Sequence, residues 1–214
     1  MLPVENAIAG PVPRNYELLW EHPSLRIRGE TTLAIELCLI GCAGASENGV
    51  RVIRSHPVAL EQVRRYADAR GWERATAVDT AGAVRDVVAL GDPAVAAIGP
   101  ALAAEIHGGT ILRRSVADEA ENYTRFFSIA VGDGEQSGDR ACVGIAVEDR
   151  PGSLRDALGA FADRGIDLRF LIARPDRRVP FRYRFFVELA SVDDARLRAA
   201  LDAIGGEQRI LGRY

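Results

Sequence analysis

The alternation of hydrophobic and polar positions is clearest after residue 140, where it predicts the order βαββαβ. Val143, Ile145 and Val147 alternate as in a half-buried strand. A stripe that starts at Leu154 recurs at i+3, i+4, i+7 and i+8, as on an amphipathic helix. The remaining segments are a strand at 166–173, a turn at 175–180, a strand at 183–189, a helix at 197–204 and a short strand at 208–212. This order is that of a split βαβ unit.

Before residue 132, predicted strands alternate with predicted helices, which is typical of a mainly parallel sheet with helices on its faces. Leu33, Ile35, Leu37 and Leu39 alternate over one strand. The other segments are strands at 50–54, 94–98, 110–113 and 124–131, a helix from Pro57 with Leu60, Val63 and Ala67 on its apolar face, a helix capped by Thr80, and a helix that begins at Pro100.

A polar, glycine-containing stretch separates these two patterns. Residues 132–139 include three glycines and no apolar side chain, so they have little with which to pack. We therefore predict an N-terminal domain at 1–131, a linker at 132–140 and a C-terminal domain at 141–214.

Composition narrows the function classes. The net charge is −3 over 214 residues, which gives no reason to expect a nucleic acid or membrane partner. The three cysteines, Cys38, Cys42 and Cys142, are interpreted as buried small side chains, and the three histidines have no metal-ligand spacing. No signal peptide or membrane helix is recognised at the sequence level. We expect a cytoplasmic protein without a metal.

An ordered set of short motifs runs through nearly the whole chain. It comprises Pro3-Val4-Glu5-Asn6 with Gly10, Gly29-Glu30, Ser55-His56-Pro57 with Gln62, Thr80-Ala81, Ala96-Ala97-Ile98, Asn122-Tyr123-Thr124-Arg125-Phe126, Asp149-Arg150-Pro151-Gly152-Ser153-Leu154 and Arg174-Pro175. The set resembles prephenate dehydratase, a carbon–oxygen lyase, followed by a ferredoxin-like ACT regulatory domain. The resemblance implies a two-lobed, periplasmic-binding-protein-like α/β catalytic domain with the substrate between its lobes.

The match begins inside the family's catalytic domain, so we expect the first lobe to lack its N-terminal segment. The resemblance places residues from about 15 to 105 in the second lobe. Residues 1–14 and 106–131 would then belong to the first lobe.

The implied reaction converts prephenate to phenylpyruvate in phenylalanine biosynthesis. Loss of carbon dioxide and the ring hydroxyl makes the substrate aromatic, so positioning and preorganised donors suffice and no cofactor is expected. The resemblance assigns Thr124 as donor to the leaving hydroxyl, while Arg125 is our candidate clamp for a substrate carboxylate. The other candidate substrate-binding residues are Asn6, Ser55, Gln62, Thr80 and Asn122.

Three local features complicate this assignment. Thr124 and Arg125 are neighbours, so on a regular strand they point to opposite faces, and both reach one ligand only where the strand start is irregular or lies at a cleft edge. His56 is a base or a helix cap, and we favour the cap. Ala7 and Asp79 stand where the family usually has serine, and an acidic Asp79 is unhelpful beside a dianion unless it turns away.

In the ACT domain, the resemblance assigns phenylalanine binding at a subunit interface to Gly152, Ser153, Leu154 and Arg174. Ile172 and Ala173 replace the Glu and Ser that usually precede this arginine, so we expect weaker binding of phenylalanine. The resemblance also implies a homodimer or homotetramer formed through ACT domains.

Three functions are therefore considered. The first is a prephenate dehydratase under allosteric control by phenylalanine. The second is a non-catalytic ACT-containing amino-acid sensor, or an inactive fragment of the enzyme. The third is a relative of periplasmic binding proteins that captures a small carboxylate without reaction. The ordered motif set favours the first.

Overall fold

The computed structural model of the protein describes residues 1–132 and 138–214, so the predicted linker falls mostly on residues 133–137, outside the described part. The elements in chain order are β1 (Leu2–Asn6), β2 (Gly10–Pro11), α1 (Pro13–Glu21), β3 (Leu25–Ala34), β4 (Cys38–Gly41), a 3₁₀ turn (Glu47–Gly49), β5 (Val52–Ser55), α2 (Pro57–Gln62), α3 (Arg64–Asp68), β6 (Glu73–Thr76), α4 (Thr80–Leu90), β7 (Val95–Gly99), α5 (Ala101–His107), β8 (Thr110–Arg113), β9 (Tyr123–Val131), β10 (Ala141–Ala146), α6 (Ser153–Ala162), β11 (Asp167–Pro175), β12 (Tyr183–Ala190), α7 (Asp194–Ile204) and β13 (Gln208–Arg213).

The described residues form two compact units that do not coincide with the predicted domains. The first unit consists of residues 1–6, 10–33 and 124–214, and the second of residues 7–9 and 34–123. Helix α1 and strand β3 thus belong to the first unit, and strand β8 belongs to the second. The expected lobe boundaries near residues 15 and 105 are therefore wrong, because β3 and β9 pair in the same sheet as the C-terminal strands.

The first unit is built on an eight-stranded sheet with the order β11-β12-β10-β13-β3-β9-β1-β2. Its C-terminal half confirms the predicted βαββαβ order, with β10 antiparallel to both β12 and β13. The apolar stripes of α6 and α7 cover one face of these strands. The buried residues of this core are Ala141, Val143, Ile145, Ala157, Phe161, Ile166, Val187, Leu189, Val192, Leu197, Ala200 and Leu201.

Helix α1 covers the opposite face of the same strands. Its Tyr16 and Trp20 pack in one cluster with Cys142 and Phe186, which have the other parity on β10 and β12. The prediction of a half-buried strand at 143–147 is therefore wrong, since every residue from Ala141 to Ile145 is buried. The α1 sequence supplies this cover because its apolar residues Tyr16, Leu19 and Trp20 recur at helical spacing.

Strand β13 joins the two halves of the eight-stranded sheet. It pairs with β3 in parallel, with Gly212 opposite Ile27. A Cβ atom at position 212 would lie 2.3 Å from the Ile27 carbonyl oxygen and 2.6 Å from its Cβ. Glycine is therefore required here for the close approach of the two backbones.

The second unit contains a five-stranded sheet with the order β6-β5-β7-β4-β8. Strand β5 is parallel to β6 and β7, whereas β4 is antiparallel to β7 and β8. The prediction of a mainly parallel sheet is thus half right. Helices α2 and α3 contribute to the buried cluster that includes Leu60, Val63 and Trp72, and α4 and α5 contribute to another that includes Val84 and Ala104.

Two predicted elements are each interrupted. The strand expected over residues 33–39 is divided, because β3 ends at Ala34 and β4 begins at Cys38. Between them, the amide of Ile35 donates to the carbonyl of Asn122 instead of continuing a ladder. The helix expected from Pro57 through Ala67 breaks at Val63, where ψ is 19°, and continues as α3.

Candidate active site

Strands β1 and β9 bring two predicted site residues together. They pair antiparallel, with Asn6 opposite Thr124 and Glu5 opposite Arg125. The Asn6 side-chain amide donates a hydrogen bond of 3.0 Å to the Thr124 hydroxyl oxygen. Because this oxygen accepts from Asn6, the hydroxyl hydrogen is directed away from that amide. The pair therefore forms a polarised donor on a half-buried strand.

Directly opposite residues share a face of an antiparallel pair, while successive residues alternate. Asn6 and Thr124 consequently lie on one face of this ladder, and Glu5 and Arg125 lie on the other. The register irregularity falls between Pro3 and Glu5, before this point, and does not bring Arg125 to the Thr124 face.

The guanidinium of Arg125 is bound by three carboxylates of the first unit. Its two terminal nitrogens donate to both oxygens of Glu188, at 2.6 and 3.0 Å, and it also donates to Glu5 at 3.0 Å and to Glu30 at 3.2 Å. The predicted role of Arg125 as a substrate clamp does not fit this arrangement. Its bidentate capacity is used within the chain, on the face opposite Thr124.

This ion cluster is sheltered from solvent. The Glu188 side chain is 6% exposed and that of Arg125 is 17% exposed. Burial by itself lowers the pKa of Arg125, but the hydrogen bonds and charge of Glu188 raise it above its ordinary value. The Tyr16 hydroxyl donates to Glu188 at 2.5 Å, and burial together with the Glu188 charge raises the Tyr16 pKa far above its ordinary value. Both groups stay protonated across the range in which proteins are assayed.

The sequence did not predict Tyr16, Glu30 and Glu188 as members of this cluster. One signal for Glu188 was present, since a carboxylate stands inside the apolar run Phe185–Leu189 of a predicted strand. Glu188 has the same parity on this strand as Phe186, opposite to the alternating apolar residues Phe185, Val187 and Leu189. Only the position of α1 shows that this face is buried.

Two further predicted residues meet in the second unit. The Asn122 side-chain amide donates to the Gln62 side-chain oxygen at 3.1 Å, and Asn122 is 3% exposed. Asn122 also lines a cavity of about 460 Å³ in this unit. The lining residues are Ala34, Ile35, Glu36, Leu37, Ser115, Ala117, Asp118, Glu119, Ala120, Asn122 and Tyr123. The three acidic residues of this lining do not favour a dianion there.

Ser55 and His56 both have local hydrogen-bond partners. Ser55 is fully buried, and its hydroxyl donates to the Ile98 carbonyl at 2.6 Å, which links β5 to β7. The Nδ1 atom of His56 accepts from the Val58 amide at 3.2 Å at the start of α2. The interpretation of His56 as a helix cap is confirmed.

The predicted cap of α4 is wrong by one residue. Asp79 is the N-cap, and its carboxylate accepts from the Gly82 amide at 2.6 Å, while Thr80 is the first helical residue. Aspartate is a strong N-cap because its oxygen satisfies an amide without an intrahelical partner. The acidic group that was unexpected at this position therefore serves the helix.

The residues predicted to bind phenylalanine do not all line the same cavity. Gly152 has a φ of +88°, which explains the glycine by backbone conformation, and the Ser153 hydroxyl donates to the Arg150 carbonyl at 3.0 Å. Ser153 and Leu154 line a cavity of about 160 Å³ with Phe181, Tyr183, Phe185 and neighbouring residues. Arg174 is outside that lining and donates to Glu17 of α1 at 2.5 Å.

The described residues contain no group of three or more His, Cys, Asp or Glu placed to hold a metal ion. Among them there is also no helix with the length and apolar character needed to cross a membrane.

Comparison with known families decides the relationship. The family model described as "Prephenate dehydratase" matches residues 1–133, and that described as "ACT domain" matches residues 143–205. The chain belongs to the prephenate dehydratase family. The fold class expected from the resemblance, a two-lobed, periplasmic-binding-protein-like α/β catalytic domain followed by a ferredoxin-like ACT domain, is confirmed.

Individual relatives agree with this membership. The chain is 34% identical over 235 residues to arogenate dehydratase/prephenate dehydratase 1 of Arabidopsis thaliana, with all of this chain and 60% of the relative covered. It is 35% identical over 222 residues to a bifunctional N-acyl-homoserine lactone acylase/prephenate dehydratase of Komagataeibacter europaeus, of which 79% is covered. The chain thus spans about three-fifths of the length of the Arabidopsis relative.

A solved structure shares the fold over nearly the whole chain. Prephenate dehydratase from Arthrobacter aurescens, in complex with L-Phe, superposes with a TM-score of 0.86 at 26% identity, covering 99% of this chain and 72% of that one.

Proposed function

We propose that the protein catalyses the decarboxylating dehydration of prephenate to phenylpyruvate, with arogenate, the amino counterpart named for several relatives, as the alternative substrate of the same class. The observation that carries the proposal is the hydrogen bond from Asn6 to Thr124 on paired strands. Family membership over residues 1–133 supplies the reaction class.

The substrate carries two carboxylates and a ring hydroxyl, and its aromatisation provides the driving force. The Thr124 hydroxyl, which accepts from Asn6, donates its own hydrogen toward the departing hydroxyl as negative charge develops there. A threonine is a weak acid, so this contribution is hydrogen bonding in the transition state and not full proton transfer. Removing one such preorganised donor typically lowers the rate by about 10²–10³.

The substrate-binding roles predicted for Ser55, Gln62, Thr80 and Asn122 stay predictions. Arg125 is not kept as a clamp, because Glu188, Glu5 and Glu30 bind its guanidinium.

The test compares Thr124→Ala, Thr124→Ser and Ser128→Ala, which changes a hydroxyl of the same parity on β9. Phenylpyruvate from prephenate is followed by ultraviolet absorbance, and phenylalanine from arogenate by chromatography. We expect Thr124→Ala to lower kcat by about 10²–10³ with KM little changed, because the donor acts in the transition state. Thr124→Ser and Ser128→Ala should keep most of the activity.

Two results would contradict this proposal in different ways. A folded Thr124→Ala variant with unchanged kcat would remove Thr124 from the site. Absence of product from either substrate with the unmodified protein would refute the dehydratase function and leave the amino-acid sensor as the better reading.

We also propose that phenylalanine binds at the loop of Gly152, Ser153 and Leu154, and that the chain forms a dimer or tetramer through its ACT domains. The cavity at this loop and the L-Phe complex of the Arthrobacter relative support the effector. Strand β11, at the end of the described sheet, exposes Leu168 and Leu171, which favours pairing with a second copy. Calorimetry with phenylalanine on Leu154→Ala and sedimentation of Leu171→Glu test these two points, and unchanged affinity or unchanged mass contradicts them.

The acylase activity named for the Komagataeibacter relative is not extended to this chain. The best local candidates, Ser55 and His56, each bond to backbone groups, so they do not form a nucleophile–base pair.

The three described cysteines are free and buried, which supports a reducing compartment such as the cytoplasm. Fractionation of native cells would test that location.

A further inference from the structure

Glu188 belongs to ACT strand β12, yet its carboxylate is bound to a strand of the catalytic part. Both of its oxygens accept from Arg125 of β9, and one also accepts from Tyr16 of α1. These residues are 63 and 172 positions away in the sequence. The contact therefore connects three separate segments of the first unit through one buried carboxylate.

The β1–β9 ladder places this contact directly behind the proposed catalytic pair. Thr124 and Asn6 form a hydrogen bond on one face, while Arg125 and Glu5 are their next neighbours and form an ion pair on the other. Thr124 and Arg125 are joined by one planar peptide bond, so a displacement of Arg125 also shifts its neighbour. The anchoring of Arg125 by Glu188 thus limits where the Thr124 hydroxyl can lie.

Removal of Glu188 alone is expected to disturb the Arg125 ion cluster. Arg125 keeps Glu5 and Glu30 as partners, but only Glu188 binds it in bidentate fashion and is almost wholly buried, at 6% exposure of its side chain. Removal of Glu188 leaves Arg125 with only the more exposed carboxylates of Glu5 and Glu30, toward which its guanidinium can move. The strand that carries Arg125 is the element most directly able to shift.

We propose that Glu188 is a positioning residue for the dehydratase reaction, through which the ACT strand β12 holds the Thr124–Asn6 pair in its reactive geometry. This inference rests on the proposed function. Glu188 would then make the ACT domain necessary for full activity even when no effector is bound. A ligand that shifts β12 would also shift Arg125 and its neighbour Thr124.

The first experiment compares Glu188→Gln with Asp176→Asn in the full chain. Asp176 is a matched control because it is another mostly buried carboxylate of the ACT domain, paired with Arg184 and not with β9. We expect Glu188→Gln to lower kcat roughly 10- to 100-fold with KM within about twofold, since small misplacement of a catalytic group has effects of this size. Asp176→Asn should stay within about twofold of the parent.

A double-mutant cycle separates positioning from general destabilisation. If Glu188 acts through Thr124, adding Glu188→Gln to Thr124→Ala should cause little further loss of kcat, because the group it positions is already gone. An equal proportional loss in both backgrounds would overturn the proposal. If Glu188→Gln does not fold, Tyr16→Phe, which removes one Glu188 hydrogen bond and no charge, replaces it in the same cycle.

A second readout requires no activity and so distinguishes failure of this inference from failure of the proposed function. Amide hydrogen exchange is measured on the parent, Glu188→Gln and Asp176→Asn. We expect faster exchange in Leu2–Asn6 and Tyr123–Val131 only for Glu188→Gln. Unchanged exchange in both strands would refute the anchoring, whether or not the protein converts prephenate.

Discussion

Replacement of Tyr16 by phenylalanine tests the buried cluster with the smallest change available. Tyr16 is fully buried, its ring stacks on Phe170 at 5.4 Å with an interplanar angle of 13°, and it meets Phe127 edge-on at 6.1 Å. Tyr16→Phe keeps these ring contacts and deletes only the hydroxyl that donates to Glu188. The measured effect therefore belongs to one hydrogen bond.

The expected loss follows from the charge and burial of the acceptor. A hydrogen bond to a charged group contributes about 1.5–3 kcal/mol, and no water can replace a donor at a fully buried site. Glu188 retains both contacts to Arg125, so we place the loss of unfolding free energy near 2 kcal/mol. With an ordinary dependence of stability on urea, the midpoint should fall by roughly 1 M.

The two tryptophans allow each unit to be followed separately. Trp20 lies in the first unit and Trp72 in the second. Urea unfolding of Tyr16→Phe is therefore followed by Trp20 fluorescence in a Trp72→Phe background, against that background alone. This design does not assume that both units unfold together.

Tyr66→Phe is the matched control in the second unit. Its hydroxyl donates to Glu47 at 2.8 Å, but the Glu47 side chain is 20% exposed and also binds Arg70 and Arg113. We expect a loss below about 1 kcal/mol, followed by Trp72 fluorescence in a Trp20→Phe background. A Tyr16→Phe loss under about 0.5 kcal/mol, or one no larger than that of Tyr66→Phe, would show that burial of the Glu188 contact does not strengthen it.

Three further outcomes are expected. Gly212→Ala should lower first-unit stability by about 1–3 kcal/mol in urea unfolding, because its Cβ would lie 2.3 Å from the Ile27 carbonyl oxygen; an unchanged midpoint would contradict this packing. Asp79→Ala should cost the second unit about 1 kcal/mol through loss of the α4 cap, and Asp79→Asn should cost clearly less. Hydrogen bonding from Arg178 lowers the Asp176 pKa to about 2 from an ordinary 3.8, so its contribution is full above pH 4 and lost as pH falls toward 2. In acid titration, Asp176→Asn should therefore weaken the dependence of stability on pH in that window, and an unaltered profile would refute the assignment.

Local patterns were sufficient where an element packs against its own neighbours in the chain. The βαββαβ order from Ala141 onward followed from alternation and helical spacing, since α6 and α7 cover the strands beside which they lie in sequence. The His56 cap was likewise readable, because a cap depends on residues within one turn. The prediction of the α4 cap was wrong by one position, because the neighbouring Asp79 carboxylate caps the helix in place of the Thr80 hydroxyl.

The candidate site was predictable by residue type and not by geometry. The motif containing Thr124, and Asn6 in the first motif, were named from the resemblance, and the ladder brings these two together. The opposite faces of Thr124 and Arg125 were anticipated from strand geometry. The partners of Arg125 were not, because a carboxylate 63 residues away leaves no periodic trace near the arginine.

The order of strands and helices and the residue types at the motifs followed from the sequence, since these depend on short-range spacing and residue identity. Two contacts emerge only in the folded chain: α1 covers the second face of the C-terminal strands, and β13 pairs with β3. Both are contacts between segments far apart in the chain, and they bury Glu188 beside Arg125. Such pairings depend on which surfaces meet after folding, and a linear pattern does not encode that choice.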